Sequence, residues 1–103
     1  MQTIHKYQIQ LGLAKNFQEE LNEWTLSIPA GAEIVSIQSQ FGQPVLYCIV
    51  SLNRPEEVRT FRVFATGEKI TELPDGYVWK YRGIINQHNG GFTWHILEKL
   101  HTG

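Results

Sequence analysis

The chain has 103 residues, 42% hydrophobic and 18% charged, with a formal net charge of −1. That length makes one domain with a single core, and the composition excludes a disordered tail. The near-zero charge excludes a strong overall field toward nucleic acid or anionic lipid, and the single cysteine excludes an intramolecular disulfide framework or a thiolate zinc cluster.

Thr3–Ile9 alternates, with His5, Tyr7 and Ile9 on one side and Ile4, Lys6 and Gln8 on the other, which predicts a strand. The N-terminus carries no apolar signal-type run and no later run nears membrane-spanning length, so a cytosolic protein without membrane contact is expected. The pattern then turns helical. Phe17, Leu21 and Trp24 fall at i, i+4 and i+7, and Asn16 with Glu19 has capping-box spacing, so a short helix is predicted near 17–22. Trp24, Leu26 and Ile28 alternate with Thr25 and Ser27 as a second strand, ending at Pro29-Ala30-Gly31.

Glu33–Gln40 and Pro44–Leu52 read as a hairpin joined at Phe41-Gly42-Gln43. Gly42 suits the positive φ of a reversal, and Pro44 is expected to stop the ladder at the turn. Val45–Val50 is apolar at successive positions, as a strand covered on both faces would be, so this hairpin is the expected centre of the core. After the polar loop Asn53–Glu57, Val58–Thr66 places Phe61, Val63 and Ala65 opposite Thr60, Arg62 and Phe64. Gly67 closes it, and Pro74-Asp75-Gly76 is a turn. Tyr77, Trp79, Tyr81 and Ile85 then share a face, with Lys80 and Arg82 on the other. A glycine-bearing loop leads to Phe92, Trp94 and Ile96, opposite Thr93, His95 and Leu97. About seven short strands between regular turns predict an all-β, single-domain fold over 1–103, an antiparallel β-sandwich or partly open barrel with one short helix.

Several elements recur at characteristic separations: Thr3-Ile4-x-Lys6-Tyr7, Ile28-Pro29-x-Gly31-Ala32-x-Ile34, Gln38-x-Gln40-x-Gly42-x-Pro44 and Arg59-Thr60-Phe61-Arg62-Val63-Phe64-x-Thr66-Gly67. With Tyr81-Arg82-Gly83 and Gly90-Gly91…His95…Glu98, the chain resembles a family of short proteins of unknown function encoded mainly by tailed phages and prophages. The departure is the segment between Ile9 and Trp24, which that family crosses in a few residues. The resemblance implies a phage accessory protein acting in a bacterial host cytoplasm, with counter-defence as its expected role.

The residues give little support to catalysis. Cys48 sits mid-strand among apolar neighbours and reads as a buried structural thiol. His5, His88, His95 and His101 lack metal-ligand spacing, so no metal or cofactor is expected. Asp75 is the only aspartate and is explained by its turn, leaving no Ser-His-Asp arrangement. Cross-strand packing accounts for most of the aromatic residues.

The charge is divided unevenly: residues 1–57 carry three Lys/Arg against six Glu, and residues 58–103 carry six against four acids. If the strands at 58–66, 77–85 and 92–98 are neighbours, one face gathers Thr60, Arg62, Lys80, Arg82, Thr93 and His95. Those groups suit phosphate oxygens, although Lys, Arg and Thr are also ordinary occupants of a solvated sheet face. The leading expectation is a non-enzymatic binding protein that captures a small anionic nucleotide signal of host immunity at that face. The alternative is a protein-binding inhibitor of a host defence enzyme, anti-CRISPR-like or a DNA mimic, using the inserted 15–23 segment or the acidic first half. A virion-associated structural or interaction module is the third reading. Self-association as a homodimer or higher homo-oligomer is expected from the two apolar faces of Val45–Val50 and from Phe64 on a polar side.

Overall fold

The computed structural model describes residues 1–9, 23–41, 43–87 and 92–103. They form seven antiparallel strands: β1 (Gln2–Gln8), β2 (Glu23–Pro29), β3 (Glu33–Gln40), β4 (Gln43–Ser51), β5 (Glu56–Ala65), β6 (Tyr77–Gln87) and β7 (Phe92–His101). Two sheets face each other as a β-sandwich, one ordered β1-β4-β3 and the other β2-β5-β7-β6. The helix predicted near 17–22 lies outside the described residues.

The hairpin expected at the centre is there. β4 runs between β1 and β3, with Leu46 opposite both Tyr7 and Ile37, and Cys48 opposite both His5 and Ile34. Leu46, Cys48 and Val50 point into the core, where they join Ile28, Phe61, Val63, Ile85 and Ile96. Two turn details differ from expectation. The positive φ falls on Phe41, at 52°, and Gly42 lies outside the described residues. Pairing also runs through Pro44, which faces Ser39, because a missing N–H near a strand end removes only one ladder bond.

In the four-stranded sheet β7 lies between β5 and β6, so the 66–76 connection has to cross over it. It does so on the outer face. The Trp79 indole N–H donates to the Thr71 carbonyl at 2.8 Å, and Phe64, whose place in its strand is on that face, is only 2% exposed. The crossing ends in a tight turn. Tyr77 N–H donates to the Pro74 carbonyl at 3.2 Å, and Gly76 holds φ 91°, which a residue with a side chain adopts only under strain.

The main departure from simple alternation is in β6. Tyr81 pairs with Leu97 and Gly83 with Ile96, so Arg82 is an extra residue in a β-bulge. Before the bulge Tyr77, Trp79 and Tyr81 lie on the outer face with Leu97. After it Ile85 lies inward, opposite Trp94. The expected common face for Tyr77, Trp79, Tyr81 and Ile85 is therefore split, because one inserted residue reverses the parity of all that follow it.

Candidate functional site

The six residues expected to gather on one face are divided between two. Thr60, Arg62, Thr93 and His95 are on the outer face of the four-stranded sheet. Lys80 pairs with Glu98, which pairs with Phe61, so the register sets Lys80 on the inner side of its strand, at an exposed position near the sheet edge. Arg82, two residues further along the strand, is directed inward as well, its Nε donating to Glu98. Of the outer four, Arg62 is 5% exposed, its guanidinium 4.9 Å from the Phe64 ring and 4.0 Å from the Glu68 carboxylate. The Thr93 hydroxyl donates to Asn86 Oδ1 at 2.9 Å, and His95 is held between the hydroxyls of Thr66 and Tyr81, 2.7 Å from each. The outer face presents no continuous row of free cations from these residues.

Arg82 finds its partner in the core. Glu98 is 1% exposed, a position a carboxylate occupies only when its charge is met by hydrogen-bonding cations. Arg59 grips it with both ends of the fork, Nε to Oε2 at 2.6 Å and Nη2 to Oε1 at 2.8 Å, while Nη1 donates to the Ala32 carbonyl at 2.6 Å. Arg82 adds Nε to Oε1 at 2.9 Å. The hydrogen bond to Glu98 raises the Arg59 guanidinium above its ordinary value, against the opposing effect of burial. Two cations on one buried carboxylate leave the cluster with a net positive charge.

Arg59 also reaches a cleft. The last residue pair between β5 and β7 is Thr60 with Lys99, and beyond it the two strands part, β5 continuing along β2 and β7 along β6. A cavity of about 470 Å³ opens there, lined among others by Glu57, Arg59, Thr60, Tyr77, Lys99 and His101. Tyr77 forms a flat wall. The Lys99 ammonium lies 5.4 Å from its ring centroid, and the His101 ring packs edge-on against it at 5.1 Å. Glu57 is the opposing negative group, its carboxylate accepting from Gly31 N–H at 3.4 Å. An ammonium, a guanidinium, a hydroxyl and an aromatic face around one opening suit an anion that carries a flat ring.

Over residues 1–102 the chain matches the family described as "Domain of unknown function (DUF7352)". The chain belongs to that family. No curated protein and no solved structure matches it.

Of the residues expected at the candidate site, only Thr60 lines the cleft; Lys99, His101 and Tyr77 join it instead. Lys99 and His101 were legible in principle, because the alternation that puts His95 and Leu97 outward continues to 99 and 101. Cys48 is buried, as expected, and burial is the main effect pushing its thiol above the usual range; Glu98 adds to this while Arg59 and Arg82 oppose it. Among the described residues no three His, Cys, Asp or Glu side chains come together as a metal site, and His88 lies outside them. Among the same residues no helix is long and apolar enough to cross a membrane.

Proposed function

We propose that the protein is a binding module that captures a small anionic, nucleotide-like ligand in the cleft between β5 and β7. The observation that carries this reading is the cleft itself, where Lys99, Arg59 and Thr60 offer donors beside the flat face of Tyr77. A phosphate would meet the cations and a base would lie against the tyrosine. The resemblance of the sequence pattern to phage and prophage proteins supports a finer version, in which the ligand is a nucleotide signal of host immunity and the protein a counter-defence factor in a bacterial cytoplasm.

Thermal-shift and calorimetric titration with mono-, di- and cyclic nucleotides test the proposal, because a ligand selective for the native state raises its melting temperature. Lys99→Ala should weaken binding by roughly 1.5–3 kcal/mol, the loss of one charge-assisted contact. The reading fails if no nucleotide shifts the melting temperature, or if Lys99→Ala and Tyr77→Ala bind as the parent does.

A second reading, inhibition of a host protein by surface contact, is favoured by the exposed Val78, Tyr81 and Ile84 along β6. Recovery of a stoichiometric host protein, lost on Tyr81→Ala and Ile84→Asp, would place it first. The homodimer rests on less than alternation implied, since Val45 and Phe64 are already covered within one chain. Light scattering at tens of micromolar tests what remains.

A further inference from the structure

The outer face holds a second pocket, apart from the ligand cleft. The strand β5 ends in a turn in which Glu68 N–H donates to the Ala65 carbonyl at 3.0 Å and the Glu68 carboxylate accepts from Ala65 N–H at 2.9 Å. Gly67, at φ 88°, takes the third place of this type II turn, so Thr66 stands at its corner. Thr66 Oγ1 lies 2.7 Å from His95 Nε2, and the Tyr81 hydroxyl lies 2.7 Å from His95 Nδ1. One turn residue and two strand residues distant in sequence thus form a chain of hydroxyl, imidazole and hydroxyl. It borders a cavity of about 200 Å³ whose apolar lining is Phe64, Ala65, Ile70 and Leu97.

We propose that Thr66 is a nucleophile activated by His95, with Tyr81 as a positioning residue, in a pocket that takes the acyl part of a short-chain ester. A hydroxyl bonded to an imidazole whose other nitrogen is held by a third group is the arrangement that activates nucleophiles. A neutral imidazole donates from one nitrogen and accepts at the other. When Nδ1–H donates to the Tyr81 oxygen, Nε2 is left to accept the Thr66 proton. The apolar lining suits a short alkyl chain, and Thr66 and Tyr81 are exposed at its mouth. Thr66 Oγ bonds to the ester carbonyl carbon as its proton passes to His95 Nε2. The bond to the leaving alcohol breaks, and that oxygen takes the proton from His95. Water then cleaves the acyl group from Thr66 by the reverse proton path, releasing the carboxylic acid.

The test is reaction of the full chain with p-nitrophenyl butyrate, followed by nitrophenolate release and by peptide mass mapping. The expected result is a butyryl group on Thr66, retained in Thr66→Ser and lost in Thr66→Val. His95→Gln should slow release roughly a hundredfold or more, the usual span for a general base. Tyr81→Phe should lower kcat while leaving KM unchanged, which a merely structural role would not do. Circular dichroism checks that each variant folds. The proposal is overturned if no adduct forms, if acylation falls only on lysines or the N-terminus, or if Thr66→Val releases nitrophenolate at the parental rate. None of these outcomes bears on nucleotide binding, whose cleft contains neither Thr66 nor His95.

Discussion

The inner face of the three-stranded sheet presents Leu46, Cys48 and Val50, all buried and apolar, whereas the inner face of the four-stranded sheet sets Arg59, Arg82 and Glu98 beside Phe61 and Val63. The two faces enclose one interior, yet only one of them depends on charge. Removing a buried apolar side chain loses transfer energy and leaves a cavity. Removing one member of a buried ion cluster leaves its partners charged and unpaired, which is worse than having no cluster. The comparison therefore separates positions where size matters from positions where pairing matters. It also explains why the cleft where β5 and β7 part is polar: Arg59 spans from the core cluster to its wall.

The sharpest way to break this comparison is at Glu98. Glu98→Ala should cost about 3–5 kcal/mol in denaturant unfolding, because Arg59 and Arg82 lose their shared counter-ion. The triple replacement Arg59→Met, Glu98→Leu, Arg82→Met should in contrast be near neutral or stabilising, since apolar packing removes the desolvation cost. If the triple variant is as unstable as the single one, the cluster contributes more than pairing and the contrast between the sheets is wrong. Leu46→Ala, on the other face, is expected to lose about 2–5 kcal/mol with no such rescue by further truncation.

The next effect concerns the bulge. Gly83 faces Ile37 of the opposite sheet, and a Cβ built there would sit 2.8 Å from Ile37 Cδ1 and 3.4 Å from its Cβ. Gly83→Ala should destabilise by roughly 1–3 kcal/mol through overpacking. Combining it with Ile37→Val, which removes Cδ1, should recover part of the loss, and a double-mutant cycle measures how much. Full additivity of the two changes would show that β3 and β6 do not press on each other at this point.

Period-two patterning made the sandwich and most strand limits legible, because burial on one face leaves a direct mark on sequence. The centre at β4 was readable for the same reason. The charged face was not, and the cause is register between strands. Lys80 and Arg82 share parity and do fall on one side, but register puts Lys80 across from Glu98 and Phe61, on the side opposite Thr60 and Arg62, while the bulge leaves Arg82 without a strand partner. Nothing in the run Tyr81-Arg82-Gly83 announces a bulge except the glycine itself. The buried cluster was closer to hand: alternation already placed Arg59 with Phe61 and Glu98 with Ile96, on the side that had to be core. A buried acid on that side required a cation opposite. The hydroxyl and imidazole of Thr66 and His95 could not have been paired from sequence, since they meet only through the β5-β7-β6 order and the crossing connection.

A smaller effect compares two cations once expected to act together. Arg62 is packed against Phe64 and beside Glu68, so Arg62→Ala should lower stability by about 1–2 kcal/mol through lost cation–π and packing contacts. Lys80 is exposed, and Lys80→Ala should stay within about 0.5 kcal/mol of the parent. Equal effects at the two positions would mean that the crossing segment does not cover Arg62 in solution.

The smallest expected effect is a change in the slope of stability against pH. Burial keeps the Cys48 thiol above its usual range in the folded chain. The folded state therefore holds its proton at pH values where the unfolded thiol has released it. Stability from this source is fully present below the unfolded value, roughly pH 8.5, and is lost as pH rises from there through the folded value. Tyr7, opposite Leu46 on β1, is raised by burial too and acts with the same sign at higher pH. Cys48→Ala removes a thiol that packs on the apolar face, so its stability should be lower at every pH. Its decline above pH 8.5 should nevertheless be shallower than the parent's, because one proton-linked group is gone. Urea titrations at a series of pH values measure both slopes. Parallel curves for the parent and Cys48→Ala would show that the thiol ionises as freely in the folded chain as in the unfolded one. That result would contradict the closed, apolar character assigned to the three-stranded sheet.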